Sequence, residues 1–262
     1  MNYNLPFLPS RPEKPRKTGL TMMMDKGLSL RQAEDFIETS ADYADFIKLG
    51  FGTSIITNKL VEKINLYKSA NLQPYFGGTL FEAFIVRNMF DEYRRYLDKF
   101  KLELVEVSDG SMVIPHEKKL EYISTLSKQV TVLSEVGSKI KGVHLPPQLW
   151  VEMMKTELQA GAFKVIAESR ESGTIGIYNS DGSVNEALIC DITSNLDAKD
   201  IIWEAPNGKQ QIYFIKIFGP DVNLGNISPE IVFPLECLRL GLRGDTFFDF
   251  LPQEYQHLKQ MD

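Results

Sequence analysis

The stretch LVEVSDGS, residues 104–111, contains the pattern from which the fold follows. Leu104, Val105 and Val107 are residue types typical of a buried strand. The run also carries Glu106 and ends at Asp109, just before a glycine, although carboxylates are rarely placed in a protein core. A strand that finishes in acidic residues indicates that its end faces a functional surface and not the packed interior.

Eight short apolar runs of this kind occur along the chain, each followed by a glycine or a polar residue. They lie within residues 20–27, 45–52, 72–78, 104–110, 130–137, 163–169, 200–208 and 221–226. The segments between them bring apolar residues round at helical spacings, as in SLRQAEDFIETSADY (residues 29–43), which opens with a serine cap. Strands that alternate with helices predict a parallel sheet that is covered on both faces.

The number of repeated units predicts how this sheet is arranged. Eight strand–helix units in about 250 residues fit a closed (β/α)8 TIM barrel. We expect a single barrel domain at residues 18–248, a polar, proline-rich extension at 1–17 and a tail at 249–262. A doubly wound open sheet is the alternative, but no G-x-G-x-x-G motif follows the first strand.

The composition argues against several classes of protein. The 262 residues are 43% hydrophobic and 24% charged, as in ordinary globular proteins, and the net charge of −6 argues against a general nucleic-acid binder. No run approaches the roughly 20 apolar residues of a membrane span, and the N-terminus lacks the apolar core of a secretory signal. Cys190 and Cys237 lie in apolar helical patterns, which predicts reduced core thiols in a cytoplasmic protein.

Acidic residues at the strand ends are the candidate functional groups. In a barrel, the C-terminal ends of the strands meet at the active-site face. The candidates are Asp25, Glu106, Asp109, Glu135, Glu168 and Glu204. So many carboxylates repel one another unless a cation intervenes, and Mg²⁺ prefers oxygen ligands. The alternative is that each acid caps a helix, but four consecutive strands with this ending favour a common site.

Basic residues near the same strand ends predict an anionic substrate. They are Lys26, Lys48, Lys139 and Arg170. Lys139 follows Glu135 by four residues, and neighbouring carboxylates would keep it protonated as a general acid; a solvated loop lysine is the alternative. Arg170 stands beside a glycine-containing turn, from which it could clamp a carboxylate or a phosphoryl group.

The loop from the last strand into a helix near Ser228 predicts a phosphate site, because barrels often bind phosphate there. Asn223, Gly225 and Asn226 belong to this loop. Arg243, near the end of that helix, either reaches the mouth or complements the helix dipole. With Asp25 and Lys26, these residues form the predicted substrate-binding set.

A series of motifs runs through the chain: GLTMMMDKG (19–27), FIKLGFGTS (46–54), GGTLFE (77–82), VEVSDGS (105–111), EVGSK (135–139), ESRESG (168–173), EAP (204–206) with QQ (210–211), VNLGNI (222–227) and LECLRLGLRGDT (235–246). This set resembles the phosphosulfolactate synthase family over about residues 18–248. The resemblance implies a (β/α)8 barrel, described in the family as a homotrimer. It also implies Mg²⁺-dependent addition of sulfite to phosphoenolpyruvate, which gives (2R)-phospho-3-sulfolactate for coenzyme M or another sulfonate.

The resemblance also assigns roles. A metal-stabilised enolate would be protonated by Lys139, the lysine of the EVGSK motif. Strand position makes Glu106, Glu135 and Glu168 the preferred metal ligands, with Asp109 or Glu204 as alternates. Lys48 and Arg170 would balance the charge of phosphate and sulfonate.

Two other functions remain open on the sequence alone. The chain could be a non-catalytic relative that resembles plant heat-stress-associated proteins, with the barrel as an interaction scaffold, or another enolate-forming enzyme. Lys139 and the strand-end acids favour the enzyme, because a scaffold has no use for a crowded anionic mouth.

Overall fold

Strands and helices succeed one another along the chain in the computed structural model, which describes residues 2–137, 145–170 and 172–260. The eight strands of these described residues are β1 (Thr21–Asp25), β2 (Phe46–Leu49), β3 (Gln73–Phe76), β4 (Leu104–Val107), β5 (Thr131–Val136), β6 (Lys164–Ala167), β7 (Ile201–Glu204) and β8 (Leu224–Ile227). Their α-helices are α1 (Leu30–Ser40), α2 (Leu60–Ser69), α3 (Gly78–Ile85), α4 (Phe90–Lys99), α5 (His116–Leu126), α6 (Pro147–Gln159), α7 (Glu186–Thr193), α8 (Gly208–Phe218) and α9 (Pro229–Arg239). Each predicted apolar run overlaps one strand.

All eight strands belong to one parallel sheet, in the order β3-β2-β1-β8-β7-β6-β5-β4. The barrel closes where β3 and β4 lie side by side. At this seam the Tyr75 hydroxyl donates to Oε2 of Glu106 at 3.0 Å, and the Gly78 N–H donates to Oε1 of Glu106 at 2.7 Å. The predicted (β/α)8 barrel is confirmed, and bonds to the Glu106 side chain join the two strands of its seam.

Side chains along each strand alternate between the barrel interior and the layer under the helices, as the two-residue period of a strand requires. The interior cluster consists of Leu20, Met22, Phe46, Tyr75, Leu104, Leu133, Ile166 and Ile202. Val105 and Val132 pack in the outer cluster with the helices. Because Leu104 points inwards, Glu106 does too, one layer nearer the C-terminal strand ends. The same rule places Glu135 above Leu133.

The segment before β1 packs against the end of the barrel where the strands begin. Its Arg11 bonds to Oε1 of Glu236 at 3.0 Å and to the carbonyl of Gly19 at 3.0 Å, and it forms an ion pair with Asp221. Arg16 lies 3.2 Å from a carboxylate oxygen of Asp45. We call these contacts of Arg11 and Arg16 the N-terminal clasp. Since Gly19, Asp45 and Asp221 all precede strands, the clasp lies at the end of the barrel opposite the acidic strand ends.

The expectation that both cysteines lie in the core is wrong. Cys190 is exposed, because the buried face of α7 is formed by Leu188, Ile189 and Ile192, and Cys237 is only half-buried on α9. Both thiols are free. In the described part of the chain, no helix has the length and apolar character needed to span a membrane.

Candidate active site

A cavity of about 430 Å³ opens at the C-terminal ends of the strands, within the size range of small-molecule sites. Its lining contains Met24, Lys48, Phe51, Gly78, Thr79, Glu106, Glu135, Glu168, Ser169, Arg170, Ser172, Glu204 and Asn226. The barrel thus brings together residues that are up to about 200 positions apart in sequence, because the parallel strands all end on one rim.

Lys48 lies among three of the glutamates. Its Nζ atom is 3.0 Å from Glu106 Oε2, 3.2 Å from Glu135 Oε2 and 3.4 Å from Glu204 Oε1. Burial lowers the pKa of Lys48, but the three carboxylates outweigh burial and hold the pKa well above 10.5. Lys48 is therefore a permanent positive charge in the wall of the cavity.

Glu204 is the buried carboxylate that ends β7 in this cavity. Burial raises its pKa to about 7; Lys48 acts in the opposite direction, and repulsion from Glu135 adds to the rise. Its Oε2 atom accepts a hydrogen bond from the Ser169 N–H at 2.8 Å. At neutral pH, Glu204 therefore exchanges a proton readily, whereas Lys48 keeps its own.

Two glycines make room for Glu168, which directly follows β6 and is 1% exposed. Gly137 has φ +139°, and a Cβ atom there would lie 2.7 Å from Cβ of Glu168. Gly176 has φ +75°, and its Cβ atom would lie 1.9 Å from the Glu168 carbonyl oxygen. Only glycine fits both the space and the left-handed backbone at these two positions.

The cavity offers oxygen donors without a preformed metal cage. Among the described residues, no three His, Cys, Asp or Glu side chains form a cluster ready to hold a metal ion. Lys48 Nζ instead lies between Glu106, Glu135 and Glu204. Mg²⁺ is usually bound by one or two carboxylates together with waters and substrate oxygens, so the carboxylate oxygens of this cavity fit Mg²⁺.

Comparison with known proteins assigns the chain to a family. Residues 9–245 match the family model described as (2R)-phospho-3-sulfolactate synthase (ComA). The chain belongs to the phosphosulfolactate synthase family. It is 43% identical over 244 residues to the phosphosulfolactate synthase of Bacillus subtilis (strain 168), and the aligned region covers 92% of this chain and 97% of that relative. The phosphosulfolactate synthase of Methanothermobacter thermautotrophicus is also 43% identical over 244 residues, with 91% and 95% covered.

A plant protein is a more distant relative. The protein Heat-stress-associated 32 of Arabidopsis thaliana is 22% identical over 274 residues, and the match covers 94% of each chain. The identity to named phosphosulfolactate synthases is about twice as high. The chain is therefore an enzyme of the phosphosulfolactate synthase family, and the interaction-scaffold alternative is not supported.

Seven of the predicted site residues line the cavity: Lys48, Glu106, Glu135, Glu168, Arg170, Glu204 and Asn226. Asn226 has a left-handed backbone (φ 57°), and its Nδ2 atom donates to the Ser169 carbonyl at 3.0 Å. Lys139 lies outside the residues that the structure describes, so its predicted role as proton donor stays a prediction.

Asp25 lies outside the cavity lining, among local backbone groups and α2. Its Oδ1 atom accepts from the N–H groups of Gly27 and Leu28, both at 2.8 Å. Its Oδ2 atom is 2.9 Å from the Tyr67 hydroxyl and 2.7 Å from Lys63 Nζ. These bonds stabilise the turn after β1. Asp25 does not line the cavity, and because Ser29 caps α1, Asp25 does not cap the helix either.

Five further predicted residues also lie outside the described lining. Asp109 pairs with Lys119 at 2.9 Å, and Arg243 is partly exposed beside Asp245 at 3.2 Å. Asn223 is at the opposite end of the barrel, where its Oδ1 atom accepts from the Leu20 N–H at 3.1 Å. Gly225 points into the barrel interior, where a Cβ atom would come within 2.5 Å of the terminal carbon of Met22. Lys26 lies on a separate surface groove.

The remaining lining residues were not predicted from the sequence as site residues: Met24, Phe51, Gly78, Thr79, Ser169 and Ser172. Met24 is the last inward residue of β1, Gly78 and Thr79 begin α3, and the others belong to loops that follow strands. The GGT motif after β3 was the available signal for Gly78 and Thr79, because its glycines directly follow the strand. Gly78 has to be glycine, since a Cβ atom there would lie 2.3 Å from Ser108 Oγ and 2.5 Å from Glu106 Oε1.

Proposed function

We propose that this enzyme adds sulfite to phosphoenolpyruvate in a Mg²⁺-dependent reaction that forms (2R)-phospho-3-sulfolactate. The supporting observation is the wall of the cavity, which combines four glutamates with Lys48 and Arg170 in a chain that belongs to the phosphosulfolactate synthase family. Such a wall suits a small, highly charged substrate better than a neutral one, because both signs of charge are concentrated at one site.

The charge balance of the cavity supports a divalent cation. The described lining has four glutamates against two basic residues, Lys48 and Arg170, so its acidic groups outnumber its basic ones even with Glu204 partly protonated near pH 7. An anionic substrate would be repelled from such a wall unless further positive charge were present. We propose that carboxylates from the set Glu106, Glu135 and Glu168, with Glu204 as an alternate, hold Mg²⁺ together with waters and substrate oxygens. Asp109 is left out of this set because it is paired with Lys119 away from the lining.

Mg²⁺ bound there would act as a Lewis acid toward the substrate carboxylate, worth several kcal/mol of charge stabilisation. In the proposed reaction, the sulfur lone pair of sulfite forms the new bond to C3 of phosphoenolpyruvate. The electron pair of the C2–C3 double bond moves toward the carboxylate, and C2 then takes up a proton. Neither oxidation by a cofactor nor loss of phosphate is needed.

The residues of the chain have distinct roles in this scheme. Lys48 stays protonated and presents a fixed positive charge toward the carboxylate of the substrate. Arg170, which lines the cavity and is exposed, is suited to bidentate contact with the phosphoryl or sulfonate oxygens. We assign the proton donated to C2 to Lys139, on the basis of the EVGSK motif, and delivery from one face would fix the configuration of the product.

Incubation of the purified chain with phosphoenolpyruvate, sulfite and Mg²⁺ tests the reaction. We expect loss of the enol absorbance that depends on sulfite, appearance of phosphosulfolactate in the NMR spectrum, and a single enantiomer on chiral chromatography. Excess EDTA should abolish the signal, and added Mg²⁺ should restore it. Absence of turnover by the intact protein would contradict the proposed reaction, and full activity in EDTA would contradict the metal.

The proton donor is tested separately with Lys139→Ala, for which we expect a loss of at least about 100-fold in kcat, the scale typical of a missing general acid. Lys141→Ala, two residues further along, is the matched control and should retain activity. Circular dichroism should show both variants folded. A Lys139→Ala enzyme with wild-type turnover would show that another group supplies the proton.

A further inference from the structure

We propose that Gln210 is a positioning residue that fixes the loop between β6 and α7, and thereby holds Arg170 and Ser172 at the cavity. This inference rests on the proposed function for the role of Arg170 in binding the anionic substrate. Gln210 itself is not part of the cavity lining. It lies in the first turn of α8 and is 1% exposed.

The Gln210 side chain bonds to two separate points of that loop. Its Nε2 atom donates to the carbonyl of Gly173 at 2.9 Å and to the carbonyl of Gly182 at 3.2 Å. Both hydrogens of one buried amide are thus used to hold loop backbone. A side chain that only filled space at this position would not need a donor, so the amide points to a specific demand on the loop conformation.

The loop is shaped to receive this amide. Gly173 has φ +62°, and a Cβ atom there would lie 2.5 Å from Gln210 Nε2 and 2.8 Å from Asn207 Nδ2. Asn207 is the N-cap of α8, and its Oδ1 atom accepts from the Gln210 N–H at 3.3 Å. The start of α8 and the glycine of the loop therefore fit one another closely.

Further bonds hold the beginning of the same loop. The Ser169 N–H donates to Oε2 of Glu204 at 2.8 Å. The Ser169 carbonyl accepts from Nδ2 of Asn226 at 3.0 Å. The Gly173 N–H donates to the Arg170 carbonyl at 2.7 Å. Arg170 therefore lies between two anchors, with Ser169 bound to β7 and β8 and Gly173 bound to α8 through Gln210. Loss of the second anchor would free Arg170 while leaving the first intact.

A double-mutant cycle tests whether Gln210 acts through Arg170. Met has a similar length to Gln and no donor, so Gln210→Met removes both loop bonds without burying a charge. We expect it to raise KM for phosphoenolpyruvate about tenfold and to change kcat less than about twofold. Arg170→Ala should raise KM at least as much, and the double variant should resemble Arg170→Ala alone, because both changes remove the same interaction.

Gln211→Met is the matched control. Gln211 is the next residue of α8, is fully buried and donates from Nε2 to the Ala205 carbonyl at 3.0 Å. Its substitution also removes a buried hydrogen bond but leaves the loop bonds in place, so its KM should stay close to that of the wild type. If Gln210→Met raised KM by the same factor with and without Arg170, or did not raise it, the positioning role would be overturned.

Trypsin cleavage after Arg170 gives a readout that needs no turnover. In the wild-type protein, in which Gln210 holds the loop, cleavage after Arg170 should be slow. Gln210→Met should increase the cleavage rate about tenfold, whereas Gln211→Met should leave it unchanged. A wild-type enzyme that failed to use phosphoenolpyruvate would contradict the proposed function, yet the cleavage rates would still decide the role of Gln210. Equal cleavage rates in the two variants would overturn it.

Discussion

Lys48 gathers three glutamates into a space where they would otherwise repel one another. Its Nζ atom lies within 3.4 Å of a carboxylate oxygen of Glu106, Glu135 and Glu204. Without that ammonium group, burial and mutual repulsion would both favour the neutral carboxylic acids. The ionised state of the cavity wall therefore depends in part on Lys48 of β2, together with donors such as the Gly78 N–H on Glu106 and the Ser169 N–H on Glu204.

Lys48→Met should consequently make stability strongly dependent on pH. In the unfolded chain, these carboxyl groups have a pKa of about 4.5. A carboxyl group with a higher pKa in the folded protein stabilises the fold at low pH, and this contribution is lost as the pH rises through the raised pKa. We expect the Tm of Lys48→Met, relative to wild type, to fall between pH 5 and pH 8. Turnover should drop at least about 100-fold, as for loss of a preorganised charge. Lys209→Met, at an exposed lysine, is the control; an identical pH profile in the two variants would contradict the explanation.

The sequence predicts some site residues and not others for a physical reason. Glu106 and Glu135 can be placed because the two-residue period of a strand is local, so an inward leucine fixes the next inward residue. Asp25 and Asp109 cannot be placed in this way. Their partners, Lys63 and Lys119, come from helices whose rotation against the sheet is set by packing of the whole barrel.

At the scale of elements, α5 is connected to the mouth by a buried lysine. Lys119 Nζ lies 2.9 Å from Asp109 in the loop after β4, 2.9 Å from Glu157 on α6 and 2.6 Å from the carbonyl oxygen of Glu135 on β5. Glu157 also accepts a bond from the Ser134 hydroxyl at 2.6 Å. One side chain therefore ties four elements together behind the cavity wall.

Lys119→Met should destabilise the protein by about 3–5 kcal/mol, because it leaves the carboxylate of Glu157 buried without its cation. Burial already raises the pKa of Glu157, and Lys119 is the main influence that opposes this rise. Adding Glu157→Gln should recover part of the loss, since the uncompensated charge is removed. Urea unfolding measures both changes. Lys118→Met, at the exposed neighbour, should leave the midpoint unchanged, and an equal loss there would refute a specific role for the buried lysine.

The succession of elements is better predicted than their lengths and loops. The serine before α1 forms a complete capping box with Gln32, and α6 begins with a proline, as the sequence indicates. The long connection from β6 to α7 is not predicted, because its shape depends on bonds to distant residues. Gln210 of α8 donates to the Gly173 carbonyl, and the Tyr178 hydroxyl of the connection donates to the carbonyl of Glu204 at 2.6 Å. Local signals fix caps and periods, whereas such loops are fixed by tertiary bonds.

At the scale of the whole molecule, the two ends of the barrel carry different tasks. The C-terminal strand ends hold the cavity, and the N-terminal ends are closed by the segment that contains Arg11 and by Arg239, which is fully buried and donates to the Val222 carbonyl at 2.7 Å. Barrels in general separate stability from catalysis in this way. The homotrimer implied by the family resemblance stays a prediction.

Arg11→Ala should test this separation directly. The side chain is 9% exposed and pairs with Glu236, itself 8% exposed, and it also donates to the carbonyls of Gly19 and Pro220. Its removal leaves Glu236 with the more distant Arg239, at 4.0 Å, and breaks these backbone bonds, so it should lower the free energy of unfolding by about 3 kcal/mol. The kcat and KM values should remain those of the wild type, because the clasp lies at the opposite end of the barrel from Lys48 and Arg170. Lys17→Ala, at an exposed lysine of the same segment, controls for a general effect of lost positive charge and should change neither quantity. A fall in kcat with Arg11→Ala at a temperature where the enzyme is fully folded would mean that the two ends are coupled through the strands.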